Sequence, residues 1–130
     1  MKTRNILIIE DEKLMSMVLC SRLSKDEYHV DVASNGNEAI EYVSNAQYDL
    51  ILLDLVIPQI DGFAVLQTIR NNSLNQTTKV LVMSNLDREY ALAKLSGLEF
   101  DDLIIKSDYS LRDIASKIQS LFDVFDLSLA

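Results

Sequence analysis

Three stretches of this chain are apolar from end to end, and segments with helical spacing separate them. They are NILII at 5–9, LILL at 50–53 and VLVM at 80–83. A strand with one wet face alternates polar and apolar residues, whereas a continuously apolar one has both faces covered. Such strands sit in the middle of a parallel sheet. Two other segments suit the edges: HVDVA at 29–33 alternates, and LIIK at 103–106 is short and flanked by Asp101 and Asp102.

The segments between them read as helices. Residues 13–24 place Leu14, Met17, Val18 and Leu23 on one face, and Ser34 caps a second helix to about Ala46 with Ala39, Ile40 and Val43 inward. Asp61 caps a third helix ending near 70–72, and residues 87–95 form a fourth, closed by Gly97. Ser110 and Asp113 make a capping box for the last, whose inward residues are Leu111, Ile114, Ala115, Ile118, Leu121, Phe122 and Phe125. Strands alternating with helices imply an α/β fold, a parallel sheet with helices on both faces. With the second strand at an edge, the order 2-1-3-4-5 follows, which is a doubly wound arrangement.

One domain accounts for 130 residues, long enough to bury a core without staples. No apolar run is long enough to span a bilayer, and the start MKTRNILIIEDE lacks a signal peptide's apolar stretch. The single cysteine, Cys20, excludes an internal disulfide framework, so a cytoplasmic location without membrane contact is expected. The net charge of −8 opposes direct binding to nucleic acid phosphates.

In a parallel sheet the strands' carboxyl ends share one rim, and ligands bind where the winding direction reverses. Glu10 and Asp11 follow the first strand, Asp54 ends the third, Ser84 ends the fourth and Lys106 ends the fifth. A carboxylate closing so apolar a segment as LILLD is paired, exposed at the strand end, or part of a site. Three carboxylates together repel, by roughly 4 kcal/mol per pair at ~4 Å and an effective dielectric of about 20. A hard divalent cation relieves this, and an all-oxygen site with few protein ligands suits Mg2+. Lys106 adds a positive charge and Ser84 a hydroxyl, the parts needed for phosphoryl transfer with Asp54 as nucleophile. The alternative roles are a helix cap for Ser84 and a plain ion pair for Lys106. The sole histidine, His29, lies on the predicted edge strand and reads as a surface residue, so Ser84 has no triad partner.

With these residues in place, the chain resembles a response-regulator receiver domain of two-component signalling. ILIIEDE, DLILLDLVIPQIDG, VLVMS and DDLIIK match that family's successive motifs, and the spacing D-x-x-x-P-x-x-D-G from Asp54 to Gly62 is the most specific of them. The resemblance implies a flavodoxin-like fold with five helices. It implies one receiver domain over 1–130, with its core at about 5–122, a short frayed tail at about 126–130 and no output domain. It makes Asp54 the acceptor of a phosphoryl group from a histidine kinase or histidine phosphotransfer protein. Asp11 and Asp54 then ligate Mg2+ directly, Glu10 helps through water, and the Val56 backbone carbonyl completes the protein's share. Ser84 and Lys106 contact the phosphoryl group, and a target protein reads the state on the face of helix 4, strand 5 and helix 5. Such a domain is not a conventional enzyme; it catalyses only its own phosphorylation and dephosphorylation. The alternative is a receiver-like binding module that works without phosphorylation.

Three residues depart from the family pattern. Leu103 stands where an aromatic residue is usual, Ser107 where proline is usual, and Asn85 where a small residue is usual. The first removes or alters the aromatic switch, the second makes a cis peptide at that position unexpected, and the third crowds or hydrogen-bonds the phosphate.

Overall fold

The computed structural model describes residues 3–129, except the side chains of Phe125, Ser128 and Leu129. Five strands alternate with five helices: β1 Asn5–Ile9, α1 Lys13–Lys25, β2 His29–Ala33, α2 Gly36–Asn45, β3 Leu50–Asp54, α3 Gly62–Asn71, β4 Lys79–Ser84, α4 Arg88–Lys94, β5 Asp102–Ile105 and α5 Leu111–Leu129. A 3-10 turn, Lys106–Asp108, joins β5 to α5. All strand pairs are parallel and the order is β2-β1-β3-β4-β5, the expected flavodoxin-like winding.

Side chains of a strand point alternately to the two faces, and this divides the core in two. Leu7, Ile9, Ile51, Leu53, Val80 and Val82 pack with α2, α3 and α4 through Val43, Leu66 and Ala91. Ile6, Ile8, Leu50, Leu52, Leu81 and Met83 pack with α1 and α5 through Leu23, Ile118 and Phe122. Each central strand therefore feeds both layers, which is why its sequence is apolar without interruption. β2, half-exposed along most of its length, is an edge as expected.

Four local expectations are corrected. In α1 the buried residues are Ser16, Leu19 and Leu23, while Leu14 and Met17 face outward with 68% and 57% of their surfaces exposed. The expected face collected the most apolar residues. The observed one accepts a serine, because the Ser16 hydroxyl is satisfied by the Lys13 carbonyl at 3.0 Å. The cap of α2 is Asn35 rather than Ser34: its Oδ1 accepts from the Glu38 amide at 2.8 Å, and Glu38 Oε1 accepts from the Ser34 amide. β5 starts at Asp102 and ends before Lys106, which opens the 3-10 turn. The expected frayed tail is helical through Leu129. The expectation for Phe125 falls on a side chain outside the described residues.

The caps at Asp61 and at Ser110 with Asp113 are as expected, and the chain reverses through Gly97 at φ 85°. Among the described residues there is no cis peptide.

One structural residue had no sequence signal. Asn75 is fully buried; its Oδ1 accepts from the Tyr48 amide, and its Nδ2 donates to the Val43 and Ala46 carbonyls. It thereby joins the loop after α2 to the loop before β4. Substituting Asn75→Leu orphans these buried groups, at about 1–3 kcal/mol each when not rescued by water. We expect a urea unfolding midpoint lowered by the equivalent of about 2–4 kcal/mol, with an unchanged far-UV circular dichroism spectrum.

Candidate functional site

Four parallel strands deliver polar residues to the rim at their carboxyl ends. The backbone just past β1 presents Glu10 and Asp11, and β3 ends in Asp54. β4 ends in Ser84, and the turn after β5 opens with Lys106. Glu10, Asp54 and Ser84 are buried, and Asp11 is exposed. Gly62 lets α3 begin directly against this rim, since a Cβ there would lie 2.5 Å from Leu55 Cα and 2.7 Å from the Asp54 carbonyl oxygen.

Lys106 is the centre of the cluster. Its Nζ donates to Glu10 Oε1 at 2.6 Å and to Asp54 Oδ2 at 3.0 Å. The other Asp54 oxygen, Oδ1, accepts from the Val56 amide at 3.0 Å. Glu10 Oε2 accepts from the Glu12 amide. Ser84 Oγ accepts from the Leu86 amide at 2.9 Å, which leaves the hydroxyl hydrogen to donate elsewhere. α4 is capped instead by Asp87, so the alternative role for Ser84 as its cap does not hold.

Two carboxylates share one ammonium here, and the imbalance appears in the proton affinity of Glu10. Burial pushes the Glu10 carboxyl up to about 7; the Asp54 carboxylate beside it adds to the rise, and Lys106 opposes it. For Lys106 burial acts downward, but the hydrogen bonds to Glu10 and Asp54 outweigh it and hold the ammonium above its ordinary range.

Glu10, Asp11 and Asp54 each offer a carboxylate oxygen, and the three oxygens lie within 4.8 Å of one another. Octahedral Mg2+ with bonds of about 2.1 Å spaces its ligand oxygens roughly 3–4.2 Å apart. Modest side-chain rotation reaches that spacing, and the donor set is wholly hard oxygen, so these residues fit the ion.

The sequence-predicted residues Glu10, Asp11, Asp54, Ser84 and Lys106 thus meet at one rim, with the Val56 backbone beside Asp54. His29 is exposed at the start of β2, at the opposite end of the sheet. Asn85 is engaged in a contact the sequence did not suggest: its Oδ1 accepts from the Ser107 amide at 3.0 Å. Leu103 is buried, and its carbonyl accepts from Arg88 at 3.1 Å.

Comparison with known proteins agrees with this geometry. Residues 6–119 match the family described as the response regulator receiver domain. The chain is 35% identical over 122 residues to a probable transcriptional regulator, ycf27, of Cyanidium caldarium, covering 92% of this chain and 47% of that protein. It is 32% identical over 118 residues to the response regulator ArlR of Staphylococcus saprophyticus, covering 89% of this chain and 51% of the other. The chain therefore spans about half the length of these curated relatives. Among solved structures, a CheY-like receiver domain protein from Methanospirillum hungatei superposes with a TM-score of 0.88 at 20% identity, over 98% of this chain and 99% of that one. The response regulator TrrA of Thermotoga maritima, solved in complex with Mg(2+)-BeF, superposes at 0.78 with 25% identity, over 92% and 99%. No helix among the described residues is long and apolar enough to cross a membrane.

Two outcomes follow from the crowded carboxylates. Asp54→Asn removes one like charge, so the metal-free protein should gain about 1–3 kcal/mol and melt at a higher temperature; an unchanged or lower melting temperature contradicts the repulsion. The folded Glu10 pKa lies above its ordinary value of 4.5, so the folded state binds more protons than the unfolded state between those two values. Stability without metal should therefore fall as pH rises from about 4.5 to 7. A calorimetric pH series should show that decline, and Glu10→Gln should flatten it.

Proposed function

The chain belongs to the response regulator receiver domain family, and from that premise we propose that it accepts a phosphoryl group on Asp54 from a phosphohistidine of a partner protein. Receiver domains are signalling phosphoacceptors of two-component systems rather than conventional enzymes, and their partners are histidine kinases. The observation that carries the assignment to Asp54 is Lys106 bonded at once to Glu10 and Asp54, with Asp11 beside them at the rim.

The transfer needs little covalent machinery. A lone pair of an Asp54 carboxylate oxygen attacks phosphorus as the phosphorus–nitrogen bond of the phosphohistidine breaks, and the bonding electrons return to the imidazole nitrogen. The Val56 amide holds Oδ1 and thereby fixes the orientation of the carboxylate. Lys106 exchanges part of its pairing with Asp54 for a phosphoryl oxygen, and Ser84 donates its free hydroxyl hydrogen to another. Asp11, Asp54 and the Val56 carbonyl would hold Mg2+, with Glu10 supporting the ion from beside them. When bound, the cation neutralises charge gathered on the carboxylate and phosphoryl oxygens.

The partner is a histidine kinase or a histidine phosphotransfer protein. The same reading treats residues 1–130 as one receiver domain that also catalyses its own dephosphorylation. It acts in the cytoplasm, and a target protein rather than DNA reads its state on the α4–β5–α5 face. The added phosphoryl carries about −1.5 to −2 charges if it behaves like other phosphorylated side chains, enough to redraw the electrostatics of this rim.

Incubation with acetyl phosphate and Mg2+, resolved on phosphate-affinity gels, tests the reading. We expect one modified species that disappears in Asp54→Asn and on chelation of Mg2+. Absence of that species in the wild type would leave the phosphorylation-independent binding module as the reading to pursue.

A further inference from the structure

Asn85 and Ser107 follow directly after the two groups proposed to contact the phosphoryl, Ser84 and Lys106, on neighbouring strands. β4 and β5 pair until their ends, with Ser84 opposite Ile105. There the regular ladder stops, and the backbone after β5 turns into the 3-10 segment Lys106–Asp108. The bond from the Ser107 amide to Asn85 Oδ1, at 3.0 Å, carries the pairing one step further by means of a side chain. A proline at 107 would have no amide to donate, and an alanine at 85 would have nothing to accept it. The two departures from the family pattern are thus complementary halves of one contact.

We propose that Asn85 is a positioning residue for Lys106, an inference that rests on reading Asp54 as the phosphoacceptor. Lys106 reaches Glu10 and Asp54 through a flexible four-carbon stem. Where its Nζ rests depends on the direction in which the backbone leaves β5. Asn85 fixes that direction by tying the residue after Lys106 to the residue after Ser84. Both partners of the bond are exposed, and surface contacts of this kind contribute little to global stability. The effect of losing it should therefore appear in reaction rate and not in folding.

The test is the initial rate of Asp54 phosphorylation by acetyl phosphate at saturating Mg2+, measured in the wild type, Asn85→Ala, Lys106→Ala and the double variant. We expect Asn85→Ala to slow the reaction about two- to tenfold, the range one net hydrogen bond provides. We expect no further slowing when Asn85→Ala is added to Lys106→Ala, because Asn85 acts through that lysine. Melting temperature and Mg2+ affinity of Asn85→Ala should match the wild type. A wild-type rate in Asn85→Ala, or equal slowing in the Lys106→Ala background, overturns the positioning role while leaving the phosphoacceptor reading intact. A wild type that takes up no phosphoryl overturns both.

Discussion

A lysine ammonium held between two buried carboxylates is the interaction around which this rim is organised. Lys106 lies 2.6 Å from Glu10 and 3.0 Å from Asp54, and only one positive charge serves two negative ones. Burying such a group is costly, and its mutual attraction recovers the desolvation only in part. The cluster therefore does not hold the fold together. It is held in place by the fold, and its unspent negative charge suits the rim to a hard divalent cation.

What holds it is the division of labour along each central strand. Ile51 and Leu53 face one helical layer, Leu50 and Leu52 the other, and Asp54 comes next in the same chain. The Asp54 side chain is thus anchored by four apolar residues whose packing opposes any slip of the strand. The loops beyond it are fastened separately. The Pro58 carbonyl accepts from the Gly36 amide at 3.2 Å, and Asp61 caps α3. At Gly36 a Cβ would lie 2.3 Å from the Ile60 carbonyl oxygen, so glycine is what allows α2 to close against this loop. At the far end of the sheet Asn75 plays the corresponding structural part, closing the loops that bear no chemistry.

The sheet order and the members of the acidic rim were legible in the sequence because both follow from strong, repeated signals. Uninterrupted apolar strands must be central, and polar residues that terminate them must share one edge. What was not legible depended on individual hydrogen bonds. Ser16 is buried in α1 while Leu14 and Met17 are not, because one hydroxyl finds the Lys13 carbonyl; no apolar count reveals that. Asn35 rather than Ser34 caps α2 because Glu38 reaches back to the Ser34 amide, a difference of one residue between two good capping types. Asn75 gave no signal at all, since an asparagine in a polar connection looks like any other turn residue until its four partners, Tyr48, Val43, Ala46 and Thr78, are in place.

The same distinction bears on how a change at the rim is transmitted. A half-buried aromatic residue can move a large ring between an inward and an outward position, and a leucine with 3% of its surface exposed cannot do so without emptying part of the core. Leu103 packs among the residues beneath α2, α3 and α4, and Arg88 at the start of α4 binds its carbonyl. This ties α4 to the backbone of β5, just as Asn85 ties the loop before α4 to the turn after β5. Both links join main-chain segments rather than a mobile ring. The loop before α4 and the first residue of α4 are therefore both fastened to β5 and the turn after it, directly beside Ser84 and Lys106.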